Sequence, residues 1–122
     1  MAISCMENNE KTTLLYQKIW LEELTSLLMV SMGDPRLRAE DLADKMFLSR
    51  SQFYRKVKEY TGMPPGSFIR EKRLLEAKKI LEGGMFPTVK EVAHQVGYCR
   101  MDYFSKLFRE RFGKLPSEVL KH

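Results

Sequence analysis

The chain has 122 residues, 43% of them hydrophobic and 30% charged, with a formal net charge of +5 at pH 7. That length suits a single domain or two small subdomains sharing a linker, and a charge of this size does not by itself separate a nucleic-acid binder from other soluble proteins. Two cysteines, Cys5 and Cys99, are too few for a disulfide scaffold and suit a reducing compartment.

Residues 1–12 are polar and unperiodic and lack the apolar core of a signal peptide, so they read as a flexible tail or the end of a linker. From about Leu14 to Met32 an amphipathic helix is expected, with Leu15, Ile19, Trp20, Leu24, Leu27 and Leu28 on its buried side. Lys18, Glu22 and Glu23 interrupt its apolar run well short of the roughly 20 residues a bilayer requires, which argues against membrane contact. Gly33, Asp34 and Pro35 end it.

From Arg38 to Gly62 the chain reads as a short helix, a turn and a longer basic helix. The short helix has no good cap at Arg38, so its start is expected to fray. The longer one opens on Ser49 and Gln52 at capping-box spacing; Phe53, Val57 and Tyr60 face inward, and Ser51, Tyr54, Arg55 and Lys58 face out. Pro65 then starts a connecting helix packed through Phe68, Ile69, Leu74, Ala77, Ile80 and Leu81 and ended by Gly83 and Gly84. Its 16 or so residues give a rigid spacer of roughly 24 Å.

Thr88 to Gly113 repeats the plan of the first unit. Thr88 and Glu91 stand at capping-box spacing, and Val89, Val92, Ala93 and Val96 form one apolar face. Gly97 suits a left-handed turn. In the helix beginning near Arg100, Phe104, Leu107, Phe108 and Phe112 recur at helical spacing, opposite Asp102, Ser105, Lys106 and Arg109. A single helix of this kind could as well be a solvated basic face. A repeat at a shift of about 50 residues changes the balance. Asp41, Leu42, Ala43 and Met46 fall against Glu91, Val92, Ala93 and Val96; Phe53, Arg55, Lys58 and Gly62 fall against Phe104, Lys106, Arg109 and Gly113. Phe47 stands where the later copy has Gly97, which requires either a turn without positive φ or local strain.

No catalytic or metal motif competes with this reading. There is no Gly-rich phosphate loop, GxSxG elbow or HExxH, and His94, Cys99, Cys5 and His122 lack metal-ligand spacing. An enzyme and a cofactor are therefore not expected. The rival is a helical protein-interaction module that binds an acidic partner through its basic helices.

With these residues in view, the chain resembles the DNA-binding domain of the AraC/XylS family of bacterial transcription regulators. LADKMFLSRSQFYRKVKEYTGMPPGSFIREKRLLEAKKIL looks like the family's first unit and connecting helix, and VKEVAHQVGYCRMDYFSKLFRERFGKLPSEVL like its signature segment. The SRSQFYRKVKEYTG wording looks most like the form found in hybrid two-component regulators. The resemblance implies an all-α fold of about seven helices over residues 13–122. A first helix-turn-helix unit would span about 13–65, the connecting helix about 66–82 and a second unit about 86–122.

It further implies that each unit places its second helix in a major groove of double-stranded DNA. Matching positions assign base and phosphate contacts to Arg50, Ser51, Tyr54 and Arg55, and to Arg100, Met101, Asp102, Ser105 and Lys106. Helix geometry adds Lys58 and Arg109 as phosphate neighbours; Arg36, Lys45 and Lys56 are further basic residues that can add phosphate contacts, which position without specifying. Arg73 and Ala77 match positions usually structural in the family. Arg100 departs from the acidic cap often found there, and Val119 and Leu120 depart from the family's Tyr and Arg. The implied setting is a cytoplasmic regulator that works with RNA polymerase and carries a regulatory or receiver domain elsewhere in the full-length protein.

Overall fold

The computed structural model describes residues 2–121, with side chains described for 11–121. Among them are seven helices and no strand: α1 (Ala2–Ser31), α2 (Ala39–Lys45), α3 (Arg50–Thr61), α4 (Pro65–Gly83), α5 (Val89–Gln95), α6 (Met101–Phe112) and α7 (Pro116–Val119). The all-α expectation holds. Within the stretch expected as a flexible tail or linker end, α1 is already helical from Ala2, and that stretch contains neither glycine nor proline to stop a helix.

One apolar core runs through both units. From α1 it takes Trp20, Leu24 and Leu28, with Met32 just past its end; from α3, Phe53 and Val57; from α6, Phe104 and Phe108. Trp20 meets Tyr60 edge-on, with ring centroids 5.3 Å apart, and Phe53 at 6.1 Å. Leu15 and Ile19, expected to be buried, are 57% and 54% exposed. Their stripe lies near the N-terminal side of the turn where α1 first meets the body of the domain at Trp20, so apolar spacing continues beyond the surface that could cover it.

The connecting helix is more than a spacer. α4 packs against α2 and α3 on one side and α5, α6 and α7 on the other, burying Phe68, Ile69, Leu74, Ala77 and Leu81 as expected and Arg73 as well. Arg73 is 8% exposed. Its Nη2 donates to the carbonyl of Asp34 at 2.8 Å, its guanidinium lies 5.8 Å from the Tyr98 ring centroid, and its Nε has no acceptor among the described residues. Burial lowers its pKa, opposed by Tyr98 and Asp34. The side chain thus joins the α1–α2 loop to the turn of the second unit through the middle of the molecule.

Candidate nucleic-acid interface

Both units use the same turn. Phe47 has φ 59° and Gly97 φ 92°, so the second of the two alternatives for Phe47 holds: its backbone is left-handed, at a cost of about 1–2 kcal/mol for a residue with a Cβ. Gly62 and Gly113, each at φ 77°, end α3 and α6 at matching points. The repeat in sequence is a repeat in backbone.

The starts of α3 and α6 differ. Ser49 completes its capping box: its hydroxyl accepts from the Gln52 amide at 3.2 Å, and the Gln52 Oε1 accepts from the Ser49 amide at 3.0 Å. Arg100 offers α6 no side-chain cap. Instead its Nη2 donates to Asp102 Oδ2 at 2.9 Å. The Asp102 carboxyl is held below the usual carboxylate range, first by that bond and then by the Tyr103 amide. Asp102 therefore places a negative charge in the first turn of α6, where the helix dipole favours one and Arg100 provides no acceptor. At α2, likewise, the Arg38 amide donates to Asp41 Oδ2 at 2.9 Å, so that end has one half of a capping box and is better fixed than its sequence suggested.

The outward faces follow from the buried ones. On α3, with Phe53 and Val57 inside, Arg50, Ser51, Tyr54, Arg55 and Lys58 are exposed. On α6, with Phe104 and Phe108 inside, Asp102, Lys106 and Arg109 are exposed, while Met101 and Ser105 are half-buried and Met101 packs against the core. Arg100, just before α6, is exposed too. Arg50 lies 3.4 Å from Glu40, a pair in which the arginine side chain is 82% exposed and which screening makes weak. Among the described residues, Arg55, Lys58, Lys106 and Arg109 form no ion pair. They are two cations on each helix at repeat-equivalent positions.

Three further phosphate candidates are placed differently. Lys56 points to α1: its Nζ donates to the Tyr16 hydroxyl at 3.0 Å and sits 5.0, 5.8 and 5.9 Å from the ring centroids of Tyr16, Trp20 and Tyr60. That bond to Tyr16 is the main cause of its raised pKa. One residue from the exposed Arg55, it lies about 100° round the helix, on the half-buried side. Lys45 donates to Ser31 Oγ at 2.8 Å, and Arg36 lies 3.5 Å from Asp34 in the α1–α2 loop. The aromatic setting of Lys56 was readable only with α1 in place.

His94 and Cys99 are exposed; the Cys5 side chain and His122 lie outside the described residues. Among the described residues no helix is long and apolar enough to cross a membrane.

Comparison with known proteins matches this architecture. A family model described as a helix-turn-helix domain covers residues 42–122. The chain is 32% identical over 80 residues to the HTH-type transcriptional activator RhaS of Escherichia fergusonii, which is 66% of this chain and 28% of RhaS. It is 28% identical over 98 residues to Histidine kinase P4 of Formosa agariphila, 80% of this chain and 7% of the kinase. The chain thus spans less than a third of the length of either relative. Among solved structures, it is similar to a transcriptional regulator of the AraC-type DNA-binding domain proteins from Chromobacterium violaceum, with TM-score 0.72 and 27% identity over 81% of this chain and 87% of that one. It is also similar to the DNA-binding domain of AdpA in complex with a target DNA, with TM-score 0.71 and 26% identity over 80% of this chain and 86% of that one.

Proposed function

The chain belongs to the AraC-type helix-turn-helix family of transcription regulators, and from that premise we propose that it binds specific double-stranded DNA through both units, with α3 and α6 each entering a major groove. The observation that carries this is the pair of unpaired cations presented at equivalent positions by each of two helices that share one buried connector. A major groove admits one α-helix, and successive grooves on one DNA face recur about every 34 Å. One chain then reads two half-sites, which need not be palindromic.

The roles divide by chemistry. Arg55 and Arg50 are the donors suited to guanine O6 and N7, with Tyr54 and Ser51 beside them. Lys58 and Arg109 hold phosphates and Lys106 adds a less directional donor. Arg100 and Asp102 set the start of α6, and Met101 and Ser105 meet the duplex only at their exposed edges. Likeness to a histidine kinase supports placing this domain at the output of a larger, signal-responsive cytoplasmic regulator that acts with RNA polymerase. The family consists of DNA-binding regulators rather than enzymes.

Titration of the chain with a duplex selected by it from random DNA tests the reading. With about 5 to 8 phosphates neutralised, log affinity should fall against log salt with a slope near −5 to −7. Absence of duplex binding at low salt, or a nearly flat slope, refutes it.

A further inference from the structure

Between the two units lies a cleft of about 410 Å³. Arg38, at the start of α2, and Arg70 and Arg73 of α4 line it together with Tyr98 and Tyr103, over Ile69. A smaller groove shares Ala39 and Gly66 with it and continues to Arg50 and Tyr54 on α3. The two adjoin at Ala39 and Gly66, and Glu40, which pairs with Arg50, lines the smaller one.

The charge in the cleft is unbalanced. Three arginines line it and no carboxylate does. Arg38 has nearby acids outside the cleft, Glu40 at 3.8 Å and Asp41 at 4.0 Å. Arg73 is 8% exposed, gives one N–H to a neutral carbonyl and has an Nε without an acceptor among the described residues. The carboxylate of Asp34, the acid that bears on it, is engaged by Arg36. Arg70 is exposed and forms no hydrogen bond or ion pair among the described residues. It also stands at the rim of a groove containing Glu71 and Glu110, but Glu71 is held by Arg111 at 2.7 Å. A pinned, unneutralised guanidinium behind a free one, with two tyrosines at the edge, is a site for a singly charged oxyanion.

The further step rests on the DNA reading above. If α3 and α6 occupy successive major grooves, the backbone flanking the intervening minor groove crosses the surface that joins them. We propose that this cleft seats one backbone phosphate of the DNA between the two half-sites, with Arg70 as its direct donor and Arg73 as a fixed positive charge behind it. Such a contact carries no base information and fixes the spacing at which two half-sites are read together.

Arg70 is exposed, so Arg70→Gln leaves the fold intact and can be tested directly. The probe is the selected duplex, and a series in which each spacer phosphate is replaced singly by an uncharged methylphosphonate. On the unmodified duplex Arg70→Gln should bind about tenfold more weakly, with the salt slope reduced by about 1. The wild type should lose a similar factor at one or two spacer positions, where Arg70→Gln should lose almost nothing more. Arg70→Lys should keep the slope. Equal methylphosphonate losses in wild type and variant, or unchanged binding by Arg70→Gln while Arg55→Ala weakens it, overturns the cleft proposal and leaves the DNA reading standing. A wild type that ignores duplex DNA overturns both. Saturable inorganic phosphate binding lost in Arg70→Gln, without an effect on duplex, would assign the cleft to a small free anion and overturn the DNA phosphate.

Discussion

The turn of the first unit and the turn of the second have one backbone conformation and two surroundings. Phe47 is left-handed and 95% exposed, so its side chain meets solvent and the only cost is local backbone strain. Gly97 is buried, and a Cβ built there would collide with the Met32 carbonyl oxygen and stand 3.0 Å from the Arg73 guanidinium. Positive φ alone is therefore compatible with a phenylalanine in this fold. The second unit requires glycine because the end of α1 and the side chain of α4 close over its turn.

The sharpest test of that difference is a pair of substitutions. Gly97→Val should lose about 2 to 6 kcal/mol, combining the strain of a left-handed β-branched residue with forced movement of Met32 and Arg73. Phe47→Gly relieves strain of about 1 to 2 kcal/mol and adds about 0.5 to 1 kcal/mol of unfolded-chain freedom, so its stability should stay within about 1 kcal/mol of wild type. Denaturant melts of both variants settle it, and similar losses would mean that the burial of the second turn has no energetic consequence.

A smaller contrast concerns base reading. Arg55 and Lys106 occupy equivalent exposed positions, but guanidinium is a planar two-pronged donor and ammonium a point charge. Arg55→Ala should cost about 1 to 3 kcal/mol on the selected duplex and flatten preference at one or two base pairs. Lys106→Ala should weaken selected and scrambled duplexes more nearly alike. If Lys106→Ala instead erases sequence preference, the first unit is not the main reader.

How much of this was legible beforehand divides along physical lines. Periodicity located Phe53, Val57, Phe104 and Phe108 in the core because each helix shows the core a face of fixed pitch, and Gly62, Gly97 and Gly113 announced their turns through a conformation that favours glycine. Periodicity said nothing of Arg73, since a charged residue is scored as surface; its matching family position was the only signal. It overran on Leu15 and Ile19, where spacing persists after the covering surface ends. The exposure of Arg55, Lys58, Lys106 and Arg109 was legible from their place opposite the core. The direction of Lys56 was not legible, because its aromatic partners come mostly from α1, some 40 residues away in sequence. That Asp102 is held by Arg100 was not legible, because nothing in the spacing shows which way the arginine side chain turns.

The two helix starts give the smallest contrast between the units. Ser49 caps α3 with a neutral hydroxyl, whereas the start of α6 has no side-chain cap and carries the Asp102 carboxylate in its first turn, bound by Arg100. Removing the hydroxyl from one or the charge from the other should weaken that helix start: Ser49→Ala should cost about 1 kcal/mol at every pH, because a hydroxyl does not titrate in the range concerned. Asp102→Asn should differ by depending on pH. The folded-state pKa of Asp102 lies below its unfolded value, so its contribution is fully present above the unfolded pKa and disappears as pH falls through the folded one. Asp102 is fully exposed, which keeps the effect small and sensitive to salt. The stability difference between wild type and Asp102→Asn should accordingly be constant above about pH 5 and shrink below about pH 4, while that between wild type and Ser49→Ala stays level. Parallel melts across that range decide the matter, because an Asp102→Asn difference that does not change with pH would mean that the carboxylate's charge has no part in holding the start of α6.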